Sequence, residues 1–581
     1  METHLNKIKT VALQRIASIK TSLELLDTKT FPSYPPRPPA RVNYVPGLPN
    51  TCPTQSENCQ AETASEATFR AKRAVVAAEV LSELFAEKVQ PDHVPCVGVA
   101  FSGGGTRAMT ATLGFLSALQ ESRILNVISY TAAVSGSTWA LAQIHKPHSK
   151  TTTLIHNLPP ISSTSTVNLN AITSTTTTTT TTTTQITKVT TSSPITPITD
   201  ALAATRAALS KNWFEFSDLP RRVALATAIE RLRINKYNVN LVDLFGILLT
   251  CSFLETSESA QGELIIPRIS HQASKTVVDG LAPLPIYCAV SPNGPSFSDC
   301  RINDSRHELY HWAEFTPFEF GLIPAYEPSV LNFVDVSFEG VWIPVNSFGR
   351  SFFNGISTSH EPEVSFGILL GVFGSAFTAN LHRILQELES DIPPATMATL
   401  RTLLKQKLNT THPLSPSTFP NPAYGLTGLP NRSTIDIDAR EITLMDSGMD
   451  NSIPFAPLLV KSRGVDVIIV CDSSADIGAH PFIARADDYA KKRGIDLKLP
   501  RLDFKEKFIP SGEDEKGPYV VYLPLVGDAA RASYAKAANF VWTGKQVDAV
   551  VELAKDIMKS AEPDILALLR RVWERKKVQI N

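Results

Sequence analysis

The sequence has no excess of charge of either sign. Its 55 Lys and Arg residues are balanced by 56 Asp and Glu residues, which leaves a net charge of −1. A basic face for nucleic acid is therefore not expected, and any contact with a lipid surface would be local and mainly apolar. Long apolar runs are missing as well. The longest, such as residues 465–471, are too short to span a bilayer, so no transmembrane segment is expected.

Cysteine is also scarce. The chain has 7 cysteines, scattered without the spacing of a metal site, and their odd number indicates reduced thiols. The first residues do not read as a secretory signal, because Lys7, Lys9, Arg15 and Lys20 interrupt them before an apolar core can form. These features predict a cytoplasmic protein that contacts membranes peripherally, with export as the alternative.

Composition divides the chain into three parts. Residues 1–30 have apolar positions three and four apart, which predicts an amphipathic helix that either docks on the protein or lies on a membrane. Residues 31–70 are proline-rich and predict an extended linker. Residues 71–581 are expected to form one catalytic domain that opens with a helix at 73–90. Within it, residues 151–199 include ten consecutive threonines and predict a disordered insertion, either a lid or a tolerated surface loop.

The most informative stretch begins with a glycine-rich turn. An apolar run from Cys96 to Phe101 predicts a buried strand, the sequence SGGG breaks it, and residues 106–121 have helical spacing. Successive glycines allow backbone N–H groups to converge on one point, because residues without Cβ adopt the required φ values. The turn therefore predicts a site for an anion or an oxyanion.

A second strand, turn and helix follow within forty residues. Residues 127–134 predict a strand, Ser135 falls on the turn, and residues 136–143 predict a helix. This is the geometry of a nucleophile elbow, in which small neighbours let one side chain project. Ala133 and Ser137 are small, although the usual pattern has glycine at both positions. A preorganised oxyanion site beside an exposed serine is what a serine ester hydrolase needs.

The motifs SGGGTRAM and SGSTW together resemble the catalytic domain shared by cytosolic group IV phospholipases A2 and fungal lysophospholipases (phospholipase B). Further segments resemble this family in the same order, over roughly residues 70–540 apart from the insertion; they include LVDLFGILL, WAEFTPFEFG, LLGVFGSAF and RGVDVIIVCDSSAD. The resemblance implies a three-layer α/β hydrolase fold of the patatin-like type, with a central mixed sheet and cap elements.

The resemblance also assigns roles to five residues. By motif, Ser135 is the nucleophile, Gly104 and Gly105 supply oxyanion N–H groups, and Arg107 binds the substrate phosphate. The family uses a Ser-Asp dyad without a catalytic histidine, and its aspartate lies in a D-S-G motif. That motif occurs in LMDSGMDNSIPFAPLL, which places the aspartate at Asp446. A structural salt bridge is the alternative role for Arg107.

These roles imply acyl transfer in two steps. Asp446 would take the Ser135 proton, an acyl-enzyme would form, and water would hydrolyse it. Asp450 lies in the same segment but lacks a following glycine. The expected substrate is a phospholipid or lysophospholipid at a membrane or micelle surface. No cofactor and no metal are expected, and no calcium-binding C2 domain is recognisable before residue 90.

Two histidine patterns predict different chemistry and are not favoured. His307 to His311 match H-E-x-x-H, which binds zinc when it lies on a helix, but the surrounding aromatic residues and Pro317 indicate a loop and a strand. The second pattern, His145, His148 and His156, fits no standard metal site.

Export and other functions remain open at this level. The segment YVPGLPNTCP resembles the start of secreted fungal phospholipase B domains, so a Cys52–Cys59 disulfide and the sequons at Asn303, Asn409 and Asn431 would matter if the chain were exported. Two functional alternatives are an esterase for neutral lipids or small esters, and an inactive lipid-binding relative. Positional preference, head group and the choice between diacyl and lysophospholipid substrates depend on the shape of the pocket.

Overall fold

A computed structural model of the chain describes residues 39–43, 65–146, 198–210, 241–254, 257–258, 264–292, 310–325, 338–377, 417–427, 429, 434–475, 477, 482–497, 499, 507–508, 518–536 and 539–580. The expected N-terminal helix at 1–30, most of the linker at 31–70 and nearly all of the insertion at 151–199 lie outside the described residues.

The described strands form one large sheet and two short hairpins. In chain order they are β1 (Val97–Phe101), β2 (Ile128–Ala133), β3 (Ser257–Glu258), β4 (Leu264–Ile265), β5 (Leu284–Pro292), β6 (Tyr310–Phe315), β7 (Glu319–Ile323), β8 (Val341–Pro344), β9 (Phe352–Phe353), β10 (Ile356–Ser357), β11 (Ser417–Pro420), β12 (Glu441–Asp446), β13 (Val467–Asp472) and β14 (Tyr519–Pro524). The two hairpins are β3–β4 and β9–β10.

The large sheet has 10 strands in the order β14-β13-β1-β2-β5-β6-β7-β8, with β12 pairing to β5 and β11 to β12. The five strands from β14 to β5 are parallel, whereas β6, β7 and β8 are antiparallel to their neighbours. The sheet is therefore mixed, as the resemblance implied. The carboxyl ends of the parallel strands lie at one edge of the sheet, where open α/β sheets bind ligands.

Eleven α-helices connect and cover the described strands. They are α1 (Glu66–Phe85), α2 (Gly105–Glu121), α3 (Gly136–Ile144), α4 (Ile198–Leu209), α5 (Leu241–Phe253), α6 (Lys275–Val278), α7 (Phe366–Phe373), α8 (Phe455–Leu458), α9 (Phe482–Lys492), α10 (Asp528–Arg531) and α11 (Gly544–Ile580). The predicted helices at 106–121 and 136–143 are confirmed to within one residue at each end.

Helices cover both faces of the sheet. Along β1, Val97, Val99 and Phe101 pack on one face with residues of α2, α3, α7 and α11, whereas Ala100 packs on the other face with residues of α8 and α9. This alternation follows from the period of two along a strand. All five residues of β1 are buried, as expected for a parallel strand covered on both sides. The result is the expected three-layer α/β fold.

The first helix begins earlier than the prediction of 73–90. It starts at Glu66, because the Oγ of Ser65 accepts a hydrogen bond from the N–H of Thr68 at 3.2 Å and caps the first turn. It ends at Phe85, because Ala86 has a left-handed conformation with φ 52°.

Part of the predicted linker also belongs to the folded domain. Arg41 forms a bridge with Ile356 of β10, and Asn43 forms one with Trp342 of β8. The backbone of this segment forms hydrogen bonds with strand β8 of the sheet and with the β9–β10 hairpin, so this part of the linker is not a free spacer.

A buried charge network fastens α1 beneath the sheet. Arg463 contacts Glu66 at 2.8 Å and Glu314 at 2.7 Å, and all three side chains are almost completely buried. Tyr130 of β2 donates to Glu66 at 2.8 Å. Removing one partner would leave a buried charge without compensation. The network therefore ties α1, β2, β6 and the turn before β13 to one another.

The structure also bears on the expectations for cysteines and for membrane-spanning helices. Cys96, Cys251, Cys288 and Cys471 are free thiols, whereas the remaining cysteines lie outside the described residues. Within the described part of the chain, none of the helices combines the length and the apolar composition needed to cross a bilayer.

Candidate active site

Ser135 occupies a sharp turn between β2 and α3. It has φ 52° and ψ −125°, a conformation that residues with a side chain rarely adopt, and helix α3 begins at the next residue. A Cβ on Gly136 would lie 2.0 Å from the carbonyl oxygen of Gly105, so the turn touches the glycine-rich turn directly. The predicted elbow geometry is present at this serine.

Ser137 replaces the second glycine of the usual elbow pattern and has a structural role. Its Oγ donates to the carbonyl oxygen of Ser102 at 2.6 Å and accepts from Thr112 at 2.9 Å. These bonds connect the elbow to the end of β1 and to α2. The departure from the glycine pattern is therefore accommodated by hydrogen bonds.

The glycine-rich turn presents backbone N–H groups at the start of α2. Gly104 and Gly105 have φ values of 147° and 62°, and a Cβ on Gly104 would lie 2.6 Å from the carbonyl oxygen of Ser473. Glycine is thus required here for space as well as for conformation. No hydrogen bond from the N–H of Gly104 or Gly105 is formed within the described residues. Unpaired N–H groups at a helix N-terminus favour a negatively charged ligand.

Asp446 lies near Ser135 because two strands end at neighbouring positions along β5. Ala133 of β2 pairs with Tyr287, and Asp446 of β12 pairs with Ala289, two residues further along β5. Strand β6 pairs with Tyr287 and Ala289 on one edge of β5. Strands β2 and β12 therefore share the other edge, and β12 begins to pair where β2 has ended. The two strands approach from opposite directions and end beside each other.

The environment of Asp446 favours a basic carboxylate. Asp446 is completely buried, and burial raises the pKa of its carboxyl group from 3.8 to about 6. The hydrogen bond from the N–H of Gly448, at 2.9 Å, and the nearby N–H of Ala376 act against this increase. The Ser135 hydroxyl is close enough to lower this pKa as well. The contact is not a fully formed hydrogen bond, since Oδ2 has no hydrogen-bond partner among the described residues.

Arg107 lies on the first turn of α2, beside the same glycines. Its Nε donates to the carbonyl oxygen of Ser473 at 3.0 Å, and its Nη1 donates to that of Ala535 at 3.2 Å. The side chain is largely buried, and Nη2 is 3.3 Å from the position that a Cβ on Gly104 would take. The structure thus places the guanidinium group next to the predicted oxyanion site.

Asp450 has a different environment from Asp446. Its Oδ2 accepts a hydrogen bond from the Nε1 of Trp312 at 2.7 Å, and burial raises its pKa to about 6. It contributes to a small cavity lined by Trp312, Arg485 and Tyr489. The structure brings Asp446, and not Asp450, to Ser135.

Neither histidine pattern forms a metal site among the described residues. His311 lies on β6, where its Nδ1 accepts from the N–H of Ala325 at 2.8 Å, while His307 and Glu308 lie outside the described residues. His311 therefore lies on a strand, as the sequence indicated, and not on a helix. His145 is buried at the end of α3, which lowers its pKa to about 4. The described part of the chain contains no group of three or more His, Cys, Asp or Glu residues suited to a metal ion.

Comparison with known proteins identifies the family to which this chain belongs. The family model of the lysophospholipase catalytic domain matches residues 97–193 and 208–486. The chain belongs to this family. Mouse cytosolic phospholipase A2 zeta is 25% identical over 535 residues, which cover 81% of this chain and 54% of the relative. Human cytosolic phospholipase A2 beta is 25% identical over 523 residues, with coverage of 81% and 57%.

A solved structure supports the fold assignment. Human GIVD cytosolic phospholipase A2 superimposes with a TM-score of 0.62 at 19% identity, covering 88% of this chain and 65% of that one. The chain spans about half the length of the curated relatives that it matches. Membership of the lysophospholipase catalytic domain family and the α/β fold are therefore established for the shared part.

Sequence reasoning did not identify the residues that surround Asp446. The Oγ of Ser375 accepts a hydrogen bond from the N–H of Asp446 at 2.8 Å, and Ala376 contacts its carboxyl group. The segment that contains them, LLGVFGSAF, was recognised as a family segment, but nothing in its composition indicates which residue it contacts. The contact depends on where the pairing of β12 with β5 places Asp446.

Proposed function

We propose that this protein is a serine acyl hydrolase that releases fatty acid from phospholipids or lysophospholipids through a Ser-Asp dyad. The observation that carries the proposal is the arrangement of β2 and β12, whose ends bring Ser135 and Asp446 together beside β5. An elbow serine, a buried carboxylate and unpaired N–H groups at one sheet edge are the components of acyl transfer.

In the first step, Asp446 accepts the hydroxyl proton of Ser135 while Oγ attacks the carbonyl carbon of the fatty acyl ester. The raised pKa makes Asp446 a better base than an exposed carboxylate, yet leaves it ionised at neutral pH. The proton then passes to the leaving alcohol as the ester bond breaks. This leaves an acyl-enzyme on Ser135.

The N–H groups of Gly104 and Gly105 stabilise the oxyanion that forms during this attack. Loss of one such donor typically costs about 3 kcal/mol of transition-state stabilisation. In the second step, Asp446 activates a water molecule that hydrolyses the acyl-enzyme. The same two glycines stabilise the second oxyanion.

Arg107 is the proposed contact for the substrate phosphate. Its guanidinium group lies beside the oxyanion turn, and a guanidinium group suits a phosphate oxygen pair. The relatives named above are phospholipases A2 by title, which supports a phospholipid class of substrate. The substrate would be taken from a membrane or micelle surface.

The chemistry requires only groups of this chain, so we propose hydrolysis without a cofactor and without calcium. The nucleophile, the base and the oxyanion donors are all supplied by protein atoms. The relatives named above are called cytosolic, which supports a cytoplasmic location for this chain. Peripheral contact with a membrane is part of the proposal, because the proposed substrate is a lipid.

The decisive experiment measures fatty acid release from lysophosphatidylcholine and from diacyl phosphatidylcholine with EDTA present. The variants Ser135→Ala and Asp446→Ala are expected to lose nearly all activity. Asp450→Asn is a matched control, because an amide oxygen can still accept from Trp312 at this buried position. An inactive wild type, or an active Asp446→Ala variant, would contradict the proposal. The substrate ratio of the active wild type identifies the preferred lipid.

A second candidate is an esterase for neutral lipids or small esters. It is favoured by one observation, the two hydrogen bonds that Arg107 makes to protein carbonyl oxygens, which give this side chain a structural use. In that case the dyad and the oxyanion turn would act as described, and the phosphate would not be recognised.

A further inference from the structure

The turn after α7 contacts the proposed base at two points. The Oγ of Ser375 accepts the backbone N–H of Asp446 at 2.8 Å, and the N–H of Ala376 lies close enough to the Asp446 carboxyl group to lower its pKa. Ser375 and Asp446 are both completely buried. Two consecutive residues therefore lie against the main chain and the side chain of the same aspartate.

The end of β12 pairs with β5 on one side only. Strand β11 pairs with β12 only as far as Leu444, so the N–H of Asp446 lies beyond the last paired residue of that edge. Its partner is the hydroxyl of Ser375. A buried N–H without an acceptor is costly, so the hydroxyl replaces the missing strand partner.

The same turn also touches the helix that follows the nucleophile. A Cβ on Gly374 would lie 2.6 Å from Cζ2 of Trp139, which is on α3, one turn after Ser135. Trp139 is completely buried, and its ring stacks on Phe253 of α5 at 6.3 Å between centroids. The turn is thus in contact with the nucleophile helix on one side and bonded to the base on the other.

Helix α7 gives the turn a rigid support. A Cβ on Gly246 of α5 would lie 2.2 Å from the carbonyl oxygen of Gly367 on α7, so the two helix backbones are in direct contact. Closely packed helices have little freedom to shift relative to each other. The position of residues 374–376 is consequently set by α5, α7 and Trp139 together.

We propose that Ser375 is a positioning residue that holds Asp446 at its working distance from Ser135. This inference rests on the proposed dyad. Without the hydroxyl, the N–H of Asp446 has lost its acceptor, and the end of β12 moves relative to the turn. The carboxylate then leaves the contact with the Ala376 N–H and its alignment with Ser135. Ser375 does not reach the substrate, so the effect falls on kcat and not on KM.

The test compares Ser375→Ala with Ser375→Cys in the full-length chain, using a soluble short-chain ester. The cysteine variant nearly preserves the side-chain shape but offers only a weak acceptor, so it separates the hydrogen bond from packing. Both variants are expected to lower kcat, by on the order of 100-fold for alanine, since small misplacements of a reacting group have effects of that size. KM should stay close to the wild-type value.

Ser365→Ala is the matched control. Ser365 is a completely buried serine that precedes α7 at its other end, and its side chain makes no capping hydrogen bond. This variant is expected to keep wild-type kcat and KM. Melting temperatures of all variants establish that each is folded at the assay temperature.

A double-mutant cycle distinguishes positioning from a general effect on structure. In the Asp446→Ala background, adding Ser375→Ala should change the residual rate little, because Ser375 acts through Asp446. An equal loss in both backgrounds would overturn the inference, as would wild-type kcat in the folded Ser375→Ala and Ser375→Cys variants. In those cases an inactive Asp446→Ala variant still supports the dyad. An active one removes the proposed function itself.

Discussion

Gly136 and Gly105 are in backbone contact: a Cβ on Gly136 would lie 2.0 Å from the carbonyl oxygen of Gly105. Gly136 follows the proposed nucleophile, and Gly105 is one of the two proposed oxyanion donors. The elbow and the oxyanion turn can therefore pack this closely only because residue 136 has no side chain. A Cβ at residue 136 would clash with a backbone oxygen, and no side-chain rotation could relieve that clash.

The first prediction follows from this contact. Gly136→Ala should lower kcat strongly, because the backbone must shift, and should also lower the melting temperature, since inserted methyl groups in packed sites cost about 1–3 kcal/mol. Gly544→Ala is the control, because a Cβ there meets nothing within 4 Å. If Gly136→Ala hydrolyses the ester at the wild-type rate, the two turns do not have to be in contact for catalysis.

The local parts of this site were predictable from sequence because each is encoded in a short segment. An apolar run followed by glycines, and a β-branched run followed by Ser135, both specify a strand, a turn and a helix. The predicted bounds of α2 and α3 agree with the structure to within one residue. At α1 the predicted start was wrong by seven residues, since Ser65 caps a helix that begins at Glu66, and a buried glutamate does not look like a core residue.

The long-range parts were not predictable in the same way. Asp446 was placed by resemblance alone, and its meeting with Ser135 depends on the pairing of β12 with β5. Sequence shows neither that register nor the hydrogen bond from Asp446 to Ser375, because both join residues more than 70 positions apart. The bridges formed by residues 39–43 were missed for the same reason, since a proline-rich composition does not exclude pairing at a sheet edge.

The second prediction concerns the pH dependence of hydrolysis. Asp446 acts as a base in its ionised form, and its pKa is raised to about 6 by burial. Activity should therefore be lost as the pH falls through about 6, where the carboxylate takes up a proton. The measurement is kcat/KM from pH 4 to 8 with a soluble ester. A rate that stays constant down to pH 4 would be inconsistent with this base.

The third prediction concerns stability. Burial makes Asp446 bind its proton more tightly in the folded state than in the unfolded state, where the pKa is 3.8. The ionised carboxylate thus lowers stability, by on the order of 3 kcal/mol above pH 6, and this cost disappears as the pH falls below 3.8. Asp446→Asn removes the charge, so it should be inactive yet more stable than the wild type at pH 8.

The stability difference between Asp446→Asn and the wild type should shrink toward acidic pH. Urea unfolding at pH 8 and pH 4 measures it. Asp450→Asn, at a carboxyl group whose pKa is also raised to about 6, is expected to show the same trend in stability while keeping activity. A less stable Asp446→Asn variant at pH 8 would show that the carboxylate is needed for the fold.

The fourth prediction is that EDTA leaves the rate of hydrolysis unchanged. The proposed mechanism assigns every step to protein groups, and the described residues contain no cluster suited to a metal ion. Fatty acid release is measured with EDTA and with added calcium, on micelles and on a soluble ester. A tenfold loss with EDTA on the soluble ester would contradict the mechanism, whereas a loss restricted to micelles would assign calcium to surface binding.

The fifth prediction separates the phospholipid and neutral-ester functions. Arg107→Ala removes a guanidinium group beside the oxyanion turn together with its bonds to the carbonyl oxygens of Ser473 and Ala535. Losing those structural bonds affects every substrate equally, so the informative quantity is the ratio of kcat/KM for lysophosphatidylcholine to kcat/KM for a neutral ester. If Arg107 binds phosphate, that ratio should fall about tenfold or more, because hydrogen bonds to charged groups contribute about 1.5–3 kcal/mol. Arg107→Lys keeps the charge without the forked geometry, so its ratio should lie between those of the wild type and Arg107→Ala. An unchanged ratio in both variants would assign Arg107 a structural role and favour the neutral esterase, since a group that contacts only protein cannot distinguish the two esters.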